Sequence, residues 1–167
     1  TDIDGNQSNQ YVIVNINDIQ GEVINGNNGK DILKGGLGND SFQGKGGNDI
    51  IDGGAGIDTS VYSGKFLDYS FTRGTNSIVI SDQRIGSNDG ADTLSNIEYI
   101  QFSDQTVEES KVDVVKIYSG KFSDYKFYNK DNGVYQIKTD SGYDDITGLP
   151  LLSFTGEAST SSFREIS

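Results

Sequence analysis

Four aspartates recur at intervals of nine residues: Asp31, Asp40, Asp49 and Asp58. Each is the sixth residue of a block that opens on glycine: GNNGKDILK (26–34), GGLGNDSFQ (35–43), GKGGNDIID (44–52) and GGAGIDTSV (53–61). Leu33, Phe42 and Ile51 fill the eighth position, and Ser60 breaks that pattern in the fourth block. A decayed block, NDIQGEVIN (17–25), precedes them with Glu22 and Ile24 in the matching places. Carboxylates at a fixed interval, set in turns rich in accessible carbonyl groups, form a hard-oxygen donor set. Such donors favour Ca²⁺, because Mg²⁺ keeps its waters and demands a stricter octahedron.

Other chemistries are poorly provided for. The 167 residues include no Cys and no His, which excludes disulfides, thiolate nucleophiles, imidazole bases and ordinary zinc sites. A pair of carboxylates could still hydrolyse a glycoside. With 25 acidic residues any such pair is unremarkable, and none lies in a recognisable motif, so the expectation is a non-enzymatic protein. Asp140, Asp144 and Asp145 lack the alternation and closing Glu of an EF-hand and read as a solvated turn.

The charge balance narrows the partners. Thirteen basic residues against 25 acidic ones give a formal charge of −12, a poor match for nucleic acid or anionic membranes. No apolar run approaches the ~20 residues of a membrane span. Nineteen of the acids are Asp, a turn former and weak helix former, so the composition points away from a helical protein; the repeats and the hairpins that follow them make the expected fold all-β. Two glycosylation-type triplets, at Asn6 and Asn39, are discounted. The missing initial Met suggests a processed chain or a piece of a longer one.

The blocks also dictate how their aspartates must be held. Six Gly-rich residues make a tight turn; three residues centred on an apolar one make a short strand with one side chain pointing inward. Repetition every nine residues sends successive strands to alternate sides of a flat coil, so each block stacks on the one two before it. Asp31 then lies over Asp49, and Asp40 over Asp58. Carboxylates stacked at a strand spacing of roughly 4.8 Å repel one another, and a cation is required between them.

These blocks resemble the RTX (repeats-in-toxin, haemolysin-type) calcium-binding family, whose repeat G-G-x-G-x-D-x-U-x forms a parallel β-helical coil. The resemblance implies a short calcium-bound parallel β-roll, each ion held between turns two blocks apart. One site would use Asp31 and Asp49 with carbonyls near Asn27, Gly29, Gly44 and Gly46. A second would use Asp40 and Asp58 with carbonyls near Gly36, Gly38, Gly53 and Ala55. Glu22 with Asp40 is a doubtful third. It also implies secretion through a type I channel, with folding outside the cell.

A second repeat follows the first. YSGKFLDYSF (62–71) recurs as YSGKFSDYKF (118–127), identical at eight of ten positions. Each copy leads into a hairpin, the first turning at Gly74-Thr75-Asn76 and the second at Asn132-Gly133. The expected organisation is an N-terminal strand or cap (1–23), the roll (24–61), and two antiparallel β units (62–110 and 111–167). The stretch DGADTLSNIEYIQFSD (89–104) resembles the cap that commonly follows RTX blocks. Tyr62, Phe66, Tyr69, Phe71 and their copies are expected to build two small cores. The function expected is a calcium-folded module of an extracellular or cell-surface bacterial protein, such as an adhesin or exoprotein. Two alternatives stay open: a module binding polysaccharide or cell-surface glycan, and a self-associating surface-layer or filament subunit.

Overall fold

The computed structural model describes residues 10–13, 17–86, 88–130, 135–146, 150–156 and 160–162. They form two compact units, Thr1–Glu109 and Ser110–Ser167, and the fold is all-β.

The first unit begins with six very short strands: β1 (Gln10–Ile13), β2 (Val23–Asn25), β3 (Asp31–Lys34), β4 (Ser41–Gln43), β5 (Ile50–Asp52) and β6 (Thr59–Val61). They alternate between two sheets. Parallel pairs β1–β3 and β3–β5 build one, and β2–β4 and β4–β6 build the other. Leu33 faces Ile51, and Phe42 faces Ser60, so the period of the stack is two blocks. Six residues of each block are spent on the turn, which leaves three for a strand that buries a single side chain. Ile24, Leu33, Phe42 and Ile51 fill the space between the sheets, the last three fully buried.

The stack continues past the repeats. After β7 (Tyr69–Arg73) and β8 (Ile78–Asp82), strand β9 (Ala91–Ser95) pairs in parallel with β5, placing Leu94 beside Ile51. Strand β10 (Tyr99–Gln101) pairs in parallel with β6, placing Ile100 beside Ser60. Only then does the pairing reverse: β7, β8 and β9 are antiparallel, as are β10 and β11 (Thr106–Glu108). The first hairpin turns where expected, with the Gly74 N–H donating to the Ser77 carbonyl at 2.8 Å. Tyr62, Phe66, Tyr69 and Phe71 pack with Phe102 at ring separations of 5.2–6.1 Å, a geometry that aromatic quadrupoles favour.

The second unit contains β12 (Val115–Tyr118), β13 (Phe127–Asn129), β14 (Tyr135–Thr139), β15 (Gly142–Ile146), β16 (Leu151–Phe154) and β17 (Thr160–Ser162). Strand β12 pairs in parallel with β16 as β6 does with β10; β13, β14 and β15 form an antiparallel sheet as β7, β8 and β9 do. Tyr118, Ile137, Ile146, Leu152 and Phe154 make its core. The Asn132-Gly133 turn lies outside the described residues. Asp144 and Asp145 sit on β15, not in a solvated turn. Strand alternation turns Asp144 toward Tyr118, whose hydroxyl donates to it at 2.5 Å, while Lys116 Nζ donates to Asp144 at 3.1 Å and to the Asp145 carbonyl at 2.7 Å.

A core this thin depends on each layer. Leu33→Ala should destabilise the first unit by about 2–5 kcal/mol, read as a lowered midpoint in chemical denaturation. A change within about 0.5 kcal/mol would show that the inward position of the repeat is not a packed core site.

Candidate metal centre

The four repeat aspartates are the deepest charged groups of the roll, none more than 2% exposed. The carboxylates of Asp40, Asp49 and Asp58 each tie their own turn to the turn above. Asp40 Oδ1 accepts the Glu22 N–H at 2.9 Å, Asp49 Oδ1 the Asp31 N–H at 2.9 Å, and Asp58 Oδ1 the Asp40 N–H at 2.7 Å. The partner is always 18 residues earlier. Two residues outside the repeats extend this ladder: Asp92 Oδ1 accepts the Asp49 N–H at 2.9 Å, and Glu98 Oε2 accepts the Asp58 N–H at 2.8 Å.

The second carboxylate oxygen separates the upper turns from the lower ones. Asp31 Oδ2 accepts the Asn27 N–H at 2.6 Å, and Asp40 Oδ2 accepts the Gly36 N–H at 3.0 Å. In the next two turns the corresponding residues, Lys45 and Gly54, have φ of +70° and +86°. Asp49 Oδ2 and Asp58 Oδ2 are buried with no hydrogen-bond partner. A buried carboxylate oxygen left unpaired is costly, and a hard cation would satisfy both.

Carbonyl oxygens lie close to the carboxylates of the upper two turns. A β-carbon on Gly26 would meet both Asp31 Oδ2 and the Gly44 carbonyl; one on Gly35 would meet Asp40 Oδ2 and the Gly53 carbonyl. The carbonyls of Gly29 and Gly38 lie against Gly47 and Gly56 one tier below, and Gly36 O accepts the Ala55 N–H at 2.9 Å. Gly46 stacks beside Asn28. The structure thus brings Asp31 with Asp49 and Asp40 with Asp58, along two columns. Among the described residues no three carboxylates converge on one point, so backbone oxygens must supply most of a cation's shell. That donor chemistry suits Ca²⁺.

Burial, opposed by the ladder hydrogen bonds and reinforced by the neighbouring aspartate, pushes Asp49 and Asp58 each up to about 6. Burial and the Asp49 charge push Asp92 up to about 8. The sequence reading missed Asp92 and Glu98. Their signal was present: Asp92-Thr93-Leu94-Ser95 and Glu98-Tyr99-Ile100-Gln101 repeat the acid–x–apolar–x pattern, but only six residues apart. Arg84 positions the loop that brings Asp92 in. It pairs with Asp82 at 2.6 Å and Asp89 at 3.2 Å, and its hydrogen bonds hold Asp82 down at about 2.

Native-state pKa values raised above the unfolded value near 4 mean that the folded, metal-stripped protein binds extra protons, so its stability falls as pH rises through that interval. Metal-stripped protein should therefore melt at a higher temperature at pH 5 than at pH 8, and Asp92→Asn should flatten the upper end of that dependence. A higher melting temperature at pH 8 without metal would refute this assignment.

No curated protein matches this chain. The RTX calcium-binding nonapeptide repeat family matches residues 25–59, in four copies. The match covers the turns and strands in which the buried aspartates stand. It spans well under half of the chain and leaves the antiparallel strands outside it. Residues 25–59 are therefore RTX calcium-binding repeats, and the chain carries a calcium-binding segment of that family.

Proposed function

We propose that this chain is a calcium-folded structural module of a secreted or cell-surface bacterial protein. The observation that carries the reading is the match of residues 25–59 to calcium-binding repeats, whose turns bury four aspartates in two stacked columns. One ion would be held by Asp31 and Asp49 with carbonyls of turns 26–31 and 44–49, and another by Asp40 and Asp58 with those of turns 35–40 and 53–58. Bound calcium supplies positive charge and coordination to oxygens that otherwise repel or lack a partner. Its binding then adds to folding stability by mass action. At extracellular concentrations of about a millimolar, typical module affinities of roughly 10⁻⁴ to 10⁻³ M are matched, while a calcium-poor cytosol leaves the repeats loose enough for export. The chain's own residues do no catalysis in this reading.

A second reading draws on the second unit. Tyr128 and Tyr143 are 39% and 57% exposed, with rings 5.6 Å apart, and Lys138 Nζ lies 4.4 Å over Tyr143. Tyr128 and Lys138 line an open groove together with Ser119, Asp124, Thr139 and Asp140. Exposed aromatics beside hydroxyls and acids suit a sugar. Polysaccharide pull-down with the wild type and with Tyr128→Ala would test it, and equal retention of both would dismiss it.

Hydrogen exchange with and without a chelator tests the main reading. Chelation should strip protection from residues 24–61 and leave the amides of β14–β16 protected. Asp31→Ala combined with Asp40→Ala should remove two ions from the calorimetric stoichiometry. Exchange and stoichiometry unchanged by these treatments would refute the module as calcium-folded.

A further inference from the structure

The repeats end at Val61, but their columns do not. The loop entering β9 stacks under turn 44–49 in register, since Gly90 (φ +72°) lies against the Gly47 carbonyl just as Gly47 lies against Gly29. The Asn88 carbonyl lies 3.3 Å from where a Gly46 β-carbon would stand. The Ala91 N–H donates to Asn48 Oδ1 at 3.0 Å, repeating the bond from Ile57 N–H to Asn39 Oδ1 at 2.9 Å in the other column. Asp92 then takes the aspartate place. Under turn 53–58, Asn96 adopts φ +51°. A β-carbon on Gly53 would collide with the Asn96 carbonyl and stand 2.6 Å from Asp58 Oδ2, so these two oxygens converge there, with Glu98 bonded alongside.

We infer that the cap supplies the lower half of one further calcium site beneath each column. One site joins Asp49 and turn 44–49 to the Asn88 carbonyl and Asp92; the other joins Asp58 and turn 53–58 to the Asn96 carbonyl and Glu98. The inference rests on the reading that the repeat turns bind calcium and adds ligands outside the family match. The two partnerless oxygens belong to the two cap-facing turns. In Asp31 and Asp40 the same oxygen is satisfied within its own turn. The ladder explains why Asp92 and Glu98 accept a hydrogen bond. It does not explain why acids stand where an amide would accept equally well, beside carboxylates that they repel. A shared divalent cation does. Asp89 is excluded as a ligand because Ser63, Tyr69 and Arg84 already engage it.

Calcium titration calorimetry on the full chain tests this with variants that keep the ladder acceptor, Asp92→Asn and Glu98→Gln. Each should bind one ion fewer than the wild type, and the double variant two fewer, with native circular dichroism in calcium. Wild-type stoichiometry in both variants would overturn the inference while leaving the repeat sites standing. Absence of any calcium binding by the wild type would instead remove the reading beneath it. Should a variant fail to fold, terbium supplies an independent measure, because Tyr62 lies beside Asp92. Tyr62→Phe should lower tyrosine-sensitised terbium emission if an ion sits there, and unchanged emission would count against the site.

Discussion

One interaction organises the first unit: a backbone N–H donating to a carboxylate from the next tier of the stack. In a sheet of three-residue strands, the strand ladder alone ties successive layers weakly. The aspartate ladder adds a charge-assisted bond at every turn, always to the residue one tier away in the same column. It fixes the spacing of the turns, the register of the strands beside them and the inward direction of the apolar residue two positions later. It also concentrates negative charge in a place water does not reach. The same bond that orders the stack therefore creates the need for a counter-charge within it.

Parallel stacks have a second problem, which is how to stop. An unfinished end presents unpaired strand edges and an open hydrophobic layer. Here the last two layers, β9 and β10, are laid on from a segment that is no longer periodic, and antiparallel β8, β7 and β11 finish the two sheets. Arg84 pins Asp82 and Asp89 together above the loop, so the segment returns in register. Tyr62, Phe66, Tyr69, Phe71 and Phe102 replace the single-file apolar core with a broader aromatic one.

Much of this was legible in the residues. The period of nine, the in-phase Asp and the apolar eighth position specify the coil, because the pattern leaves only one way to bury Leu33, Phe42 and Ile51 together. Phase also located the columns that join Asp31 to Asp49 and Asp40 to Asp58. The continuation through Asp92 and Glu98 was not legible, because a six-residue spacing breaks the period and β7 and β8 intervene. The division between Asp31 and Asp40, whose carboxylates are satisfied, and Asp49 and Asp58, whose carboxylates are not, depends on backbone torsions at Lys45 and Gly54. Spacing carries no information about these. The strand position of Asp144 was hidden for a different reason. Its partners Tyr118 and Lys116 are 26 and 28 residues away, and a local run of acids reads as solvent-facing.

Among the described residues, β12 and β15 of the duplicated unit are outer strands of their sheets, where β6 and β9 are inner ones. A β-carbon on Gly142 would meet none of the described residues within 4 Å, where one on its counterpart Gly90 would collide with the Gly47 carbonyl. Lys116 stands in the place of Ser60, and its ammonium caps the Asp145 carbonyl and the Asp144 carboxylate. A strand approaching β15 would have to displace that ammonium and leave a carboxylate uncompensated. A charged side chain at a sheet edge is one of the devices that discourage pairing with other chains. The one β pattern thus occurs twice, once with its strands continuing the sheets of the repeats and once with the equivalent strands left at sheet edges.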